Sequence, residues 1–221
     1  MPICIYGETV LFFAHIPKTG GSSIEAYLRY KGPLALFGEP KVDGIHRQHL
    51  TRAQLELVPD LPAFDHAFSV LRDPVSRIVS EYLWRSRPLK PSQRIARPFR
   101  RGLARRIKVR GNVRALTFAE WVPLVLDEAA ETPGMRDNHM RPQVEFLATG
   151  DRLFAFENGL EPVFRWIDDV TDGQANASPE RLKASTAPKP EVSDASRALI
   201  EEWYSADLSL LQDIQAGRSI Y

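Results

Sequence analysis

The stretch that most constrains the fold is Thr9–Tyr30, TVLFFAHIPKTGGSSIEAYLRY. Val10 to Ala14 is a short apolar run, suited to a buried strand and too short for a helix. Pro17-Lys18-Thr19-Gly20-Gly21 makes a sharp loop. Ser22 and Ser23 then lead into Ile24, Tyr27 and Leu28, spaced for one face of a helix. Strand, glycine turn and helix start place free backbone N–H groups and the positive end of a helix dipole at one point, which attracts phosphate. Lys18 adds a full charge there, and Thr19, Ser22 and Ser23 add hydroxyls. The order differs from a Walker A loop, in which lysine follows the glycines; here Lys18 precedes Gly20-Gly21. The dinucleotide fingerprint GxGxxG is also missing. Taken alone, the loop also fits an ordinary strand-to-helix turn with an exposed lysine.

A second unit has the same logic. Phe64 to Leu71 reads as a buried strand ending on Arg72. Asp73 stands as an N-cap with Pro74 at the first helical position. Val75, Ile78, Val79 and Tyr82 follow at helical spacing, which places Ser76, Arg77 and Ser80 on the polar face. In a parallel sheet both turns lie beyond the carboxyl ends of their strands, where ligands bind. A ligand with two separated phosphates would engage Lys18 to Ser23 at one end and Arg72 with Ser80 at the other.

The rest of the chain is read for organisation. At 221 residues it makes one domain, or one with an insertion. Leu34 to Phe37 suits a short strand, and Thr51 caps a short helix over Arg52 to Val58. From Arg85 to Arg114 there are many arginines and lysines and no acid, so this window reads as a solvated basic segment or flap inserted at about 85–115. The whole chain carries a net charge of only +1, which argues against a nucleic-acid polycation. Thr117 to Ala130 reads as an amphipathic helix with a kink or late start at Pro123, and Asp137 to Leu147 as a polar loop. Arg152 to Phe156 reads as a strand and Gly159 to Ile167 as a helix. Ser193 to Gln212 reads as one terminal helix, with Leu199, Ile200, Trp203, Leu208 and Leu211 packed inward. Alternating strands and helices argue for an α/β parallel sheet with right-handed crossovers. The single cysteine, Cys4, fits a reducing compartment, and no apolar run is long enough to span a membrane.

HIPKTGGSSI followed by VLRDPVSRIVSEY resembles the paired cofactor signatures of the sulfotransferases. The likeness is greatest to the carbohydrate branch (heparan sulfate 2-O-, chondroitin and HNK-1 enzymes) and its bacterial homologues. HLTRAQL resembles the segment that opens on that family's catalytic histidine, NHMRPQVEFL a polar segment of the chondroitin-type enzymes, and LKASTAPKP a loop that closes over the nucleotide. FENGLEPVFRWI and IEEWYSADLSLL extend the resemblance into the C-terminal third.

The resemblance implies a single-domain parallel sheet flanked by helices, a P-loop-like sulfotransferase fold. It implies 3′-phosphoadenosine 5′-phosphosulfate (PAPS) as co-substrate and no metal. Lys18, Thr19, Gly20, Gly21, Ser22 and Ser23 would hold the 5′-phosphosulfate, and Arg72 and Ser80 the 3′-phosphate. Ser185 would lie in the closing loop, where Lys183 departs from the family's usual asparagine. His49 matches the catalytic base, with His46 its near neighbour; Lys18 would stabilise the leaving phosphate. His139 and Arg141 would bind acceptor, while His15 is structural or close to the cofactor and His66 structural. The acceptor is a hydroxyl compound, with a carbohydrate first, then a lipid-linked glycan, a small phenol and a peptide tyrosine. The expected setting is a bacterial cytoplasm, with peripheral membrane contact left open. Two other readings remain open: a phosphoryl transferase with a divergent loop, and a non-catalytic nucleotide- or glycan-binding protein of the same fold.

Overall fold

The computed structural model describes residues 1–36, 41–89, 104–173 and 187–217. A five-stranded sheet organises it. β1 (Ile3–Tyr6) and β2 (Thr9–Ala14) form an antiparallel hairpin across Gly7, whose φ of 57° needs a residue free to enter the left-handed region. β3 (Leu34–Ala35) pairs with β1 at the edge. β4 (His66–Leu71) lies parallel to β2, and β8 (Arg152–Ala155) parallel to β4. The order is β3-β1-β2-β4-β8, so the centre is parallel and one edge antiparallel. This corrects the all-parallel expectation. The reason is Ile3–Tyr6, four residues that fold back on β2 through a tight turn and need no crossover helix.

Alternation along β2 separates the two faces. Leu11 and Phe13 pack with Phe68, Val70 and the buried faces of α1 (Gly21–Lys31) and α5 (Glu161–Val170). Phe12 and Ala14 face the other side with Leu50, Phe146, Leu210 and Leu211. A further apolar cluster joins α3 (Pro74–Arg85) to α4 (Phe118–Glu131) through Ile78, Tyr82, Trp121 and Val125.

Local chemistry accounts for the element starts. Asp73 caps α3 by accepting from the Ser76 N–H, with Pro74 in the first turn. Thr51 and Gln54 form a reciprocal capping box on α2 (Arg52–Leu55), as Thr117 and Glu120 do on α4. The second box starts α4 at Phe118, and the helix runs on through Pro123, so there is no late start.

The basic window holds more order than its charge suggests. β5 (Arg87–Pro88), β6 (Arg105–Val109) and β7 (Asn112–Leu116) form a small antiparallel sheet. Arg110 and Gly111, both with positive φ, turn the β6–β7 hairpin. Ile107 and Val109 alternate into the core while Lys108 between them faces outward. The terminal helix is two helices, α6 (Asp194–Trp203) and α7 (Ser205–Gln215), broken at Tyr204; Ser193 caps the first. Leu199 is exposed on α6, against the inward packing expected of it. Among the described residues no helix is long and apolar enough to cross a membrane.

Candidate active site

The parallel strands β2, β4 and β8 all end at one edge, and the loops beyond them line a cleft of about 1640 Å³. That is larger than an ordinary single-ligand pocket and has room for a nucleotide and an acceptor together. Lys18, Gly20, Gly21, Ser22 and Ser23 line it from the first turn, and Arg72, Ser76 and Ser80 from the second.

The glycine turn is built for close approach. Gly20, the N-cap of α1, has φ 94°, and a Cβ there would meet the Phe156 and Leu160 side chains at 3.1 and 3.2 Å. A Cβ on Gly21 would lie 1.8 Å from Nε2 of His15. The two glycines therefore keep the helix start bare while aromatic rings pack against it. Thr19 departs from expectation. It is buried, and its hydroxyl donates to the Ile16 carbonyl at 2.9 Å, so it offers a ligand only its backbone. Lys18 is itself left-handed (φ 72°), and its ammonium lies 4.7 Å from the centre of the Trp84 ring.

Arg72 is fixed from several sides. Gln143 brackets its backbone, accepting from the N–H and donating to the carbonyl. Its guanidinium donates to the Lys18 carbonyl at 3.0 Å and lies 4.5 Å from the Phe156 ring centre. The two strand-end turns are thus tied directly to each other.

Three histidines converge beside these turns, each tied through Nδ1 to a carboxylate. His15 pairs with Glu25 at 2.7 Å, His49 with Asp137 at 2.6 Å and His139 with Glu81 at 2.7 Å. The rings run in sequence, His15 to His49 and His49 to His139, with centroids 4.9 Å apart at each step. Burial drives the imidazoles of His49 and His139 down to about 4, against the opposing pull of Asp137 and Glu81, so both are neutral near pH 7. Burial also lowers His15, with Glu25 opposing. For Asp137 the burial penalty is outweighed by the His49 hydrogen bond and the His46 N–H, and its carboxyl is held below its usual range. Glu81 resists a larger burial penalty through His139 and Arg85 and sits at about 2. Each carboxylate therefore accepts from Nδ1–H, and each ring keeps a basic lone pair at Nε2.

The Nε2 atoms differ in placement. That of His15 packs on Gly21, so His15 is a structural wall of the turn. His49 and His139 line the cleft, and no hydrogen bond from another described residue fills Nε2 of either. His46 serves here through its backbone N–H, which donates to Asp137 Oδ1 at 2.7 Å. His66 is exposed at the start of β4, the opposite end from the site, and meets Trp166 edge-on.

The segment Arg136-Asp137-Asn138 has three successive left-handed residues, at φ 55°, 62° and 61°. Such a run costs on the order of 1–2 kcal/mol per residue, less for Asp and Asn. The strain aims three neighbours at once. Asp137 takes His49, the buried Asn138 donates to the His49 carbonyl and to Gln54, and His139 takes Glu81. Arg77, fully buried and not on a polar surface as its helix position suggests, donates to the His139 and Arg141 carbonyls. Tyr204 donates to the Met140 carbonyl.

Arg141 is not brought to the cleft. It pairs with Glu145 at 2.9 Å and lines a separate small hollow with Met140 and Trp203. Ser185 lies outside the described residues, though Ala187, Lys189 and Pro190 just beyond it line the cleft. Spacing along the chain shows no metal-ligand cluster, yet folding gathers His49, Asp137 and His139 with ligand atoms within 4.8 Å of one another. Both Asp137 oxygens are already engaged, by the His49 ring and the His46 N–H, so the trio is organised as hydrogen-bonded pairs.

The fold and site define an α/β protein in which two strand-end turns, joined through Arg72, face one cleft beside a neutral, carboxylate-oriented histidine. Residues 1–160 match the model of the family described as the sulfotransferase family, and the chain belongs to that family. Comparison with curated proteins and with solved structures finds no match. The family supports sulfuryl transfer to a hydroxyl-bearing acceptor as the general activity.

Proposed function

We propose that the chain transfers a sulfuryl group from PAPS to a hydroxyl of a carbohydrate acceptor. The observation that carries this reading is the position of His49: neutral, oriented by Asp137, and in the same cleft as the Lys18 and Arg72 turns. The helix start at Gly20-Gly21, which lines the cleft with no side chain of its own, suits the 5′-phosphosulfate, with Lys18, Ser22 and Ser23 around it. Arg72 and Ser80 suit the 3′-phosphate. In the reaction the acceptor oxygen bonds to sulfur as the bond from sulfur to the phosphate oxygen breaks. The acceptor proton passes to His49 Nε2, and adenosine 3′,5′-bisphosphate leaves with its charge met by Lys18. Such a base contributes about 10²–10⁴ in rate; the rest is in-line positioning and charge neutralisation.

Calorimetry with adenosine 3′,5′-bisphosphate tests the donor site. One site per chain is expected, and Arg72→Ala weakens it by roughly 10- to 100-fold, the loss of charged hydrogen bonds. Absence of binding to the unaltered protein overturns the assignment.

A further inference from the structure

Beyond the base, the cleft holds a second imidazole that the transfer step leaves unused. His139 is held as rigidly as His49. Its Nδ1–H is committed to the buried Glu81, which also takes Arg85. Its ring stacks on Trp84 with centroids 5.1 Å apart and planes 12° apart, and stands nearly perpendicular to the His49 ring. Arg77 fixes its carbonyl. What remains is an Nε2 lone pair on a ring that lines the cleft beside His49, the two ring centroids 4.9 Å apart. Hydrogen bonds of about 2.8 Å to each from neighbouring groups of one molecule span such a gap.

The pair selects by chemistry. Two acceptors side by side need two donors on adjacent atoms of the ligand. A carboxylate or sulfate has only acceptors and would set lone pair against lone pair. An ammonium would donate, but the Lys18 ammonium and the Arg85 guanidinium, each 4.7 Å from the Trp84 ring centre, oppose a third cation. Neutral hydroxyls on neighbouring carbons fit.

We infer that His49 and His139 together recognise a vicinal diol, the reacting hydroxyl on His49 and its neighbour on His139. This rests on the reading of His49 as base and narrows the acceptor to a polyol with two adjacent free hydroxyls. His139 is then a binding residue that fixes which of the two hydroxyls faces the sulfur.

The test follows the imidazole nitrogens by ¹⁵N NMR in the full chain while trans-cyclohexane-1,2-diol or cyclohexanol is added, with and without adenosine 3′,5′-bisphosphate. The diol is expected to shift Nε2 of both His49 and His139 and to bind about three- to tenfold tighter than cyclohexanol, the worth of one neutral hydrogen bond. Cyclohexanol shifts His49 alone. His139→Phe keeps a ring against Trp84, loses the acceptor and abolishes the diol's advantage; His139→Gln, with an oxygen near the Nε2 position, restores part of it. Equal binding of the two probes, an unmoved His139 Nε2, or no diol binding at all overturns the inference. So does movement of both Nε2 signals on adding EDTA to the purified protein, which would show a metal ion between them. The titration without nucleotide separates the two readings: failure of the bisphosphate to bind strikes the donor assignment and leaves the diol result standing.

Discussion

Asp137→Asn is the sharpest perturbation of the site, because it changes one atom and keeps the shape. Asp137 accepts at both oxygens, from the His46 N–H at 2.7 Å and from the His49 ring at 2.6 Å. An amide has one oxygen and one NH₂. The His46 N–H belongs to the backbone and cannot change its role, so the amide oxygen stays with it and the NH₂ turns to His49 Nδ1. That inverts the tautomer: Nδ1 accepts, and the proton moves to Nε2, where a base must have none. The full general-base contribution to the rate is then at risk, about 10²–10⁴. The competing arrangement, with the oxygen on His49 and the His46 N–H left unpaired, costs about 1–3 kcal/mol of stability and spares the base. The experiment measures turnover with labelled PAPS, the thermal midpoint and bisphosphate affinity on one preparation. Turnover is expected to fall by roughly two orders of magnitude or more while bisphosphate affinity stays unchanged. A variant that keeps about the parent's turnover, with an unchanged midpoint, would falsify the tautomer argument.

Acid should destabilise the fold over a defined window. The unfolded chain protonates its histidines near pH 6.5, whereas folded His49 and His139 resist to about 4, so stability is full above about 6.5 and falls as pH drops toward 4. The slope reaches about 1.4 kcal/mol per pH unit for each histidine; denaturant midpoints from pH 7 to 4 read it, and a flat profile contradicts the burial argument. Gly21→Ala drives a Cβ into the His15 ring, and overpacking of about 1–3 kcal/mol should appear as a lowered thermal midpoint. Arg77→Leu leaves the His139 and Arg141 carbonyls without their donor; a loss of roughly 2–4 kcal/mol in chemical denaturation is expected, and a neutral change would show that another group replaces it.

The parts legible in the sequence were those with local signals. Val10 to Ala14 followed by a glycine turn, Asp73-Pro74 before a helical period, and Thr51 as a cap each depend on residues within a few positions. The carboxylate partners were not legible. His139 meets Glu81 across 58 positions and His49 meets Asp137 across 88, and nothing local marks which acid will arrive. Arg77 and Arg141 show the same limit. Spacing alone puts Arg77 on a polar face and gives Arg141 a place near the acceptor, while the fold buries the first under segment 139–141 and turns the second toward Glu145. The β6–β7 hairpin had a signal, the alternation of Ile107 and Val109 and the turn at Arg110-Gly111, but the surrounding arginines obscured it. Ile3–Tyr6 has no helix between it and β2, so strand–helix alternation gives no signal for it.

The C-terminal helices alter where the working unit ends. The family match stops at residue 160, yet Tyr204 holds the Met140 carbonyl, and the buried Asp207 accepts from the Gln143 and Val144 N–H groups. Gln143 in turn brackets Arg72. A graft that carried only the matched residues into another scaffold would bring along every proposed catalytic side chain and leave behind the clamp on segment 140–144, which holds Arg72 through Gln143. For anyone recombining such enzymes, the transplantable module therefore extends through α7, and a chimera joined at residue 160 is expected to inherit the residues without the activity.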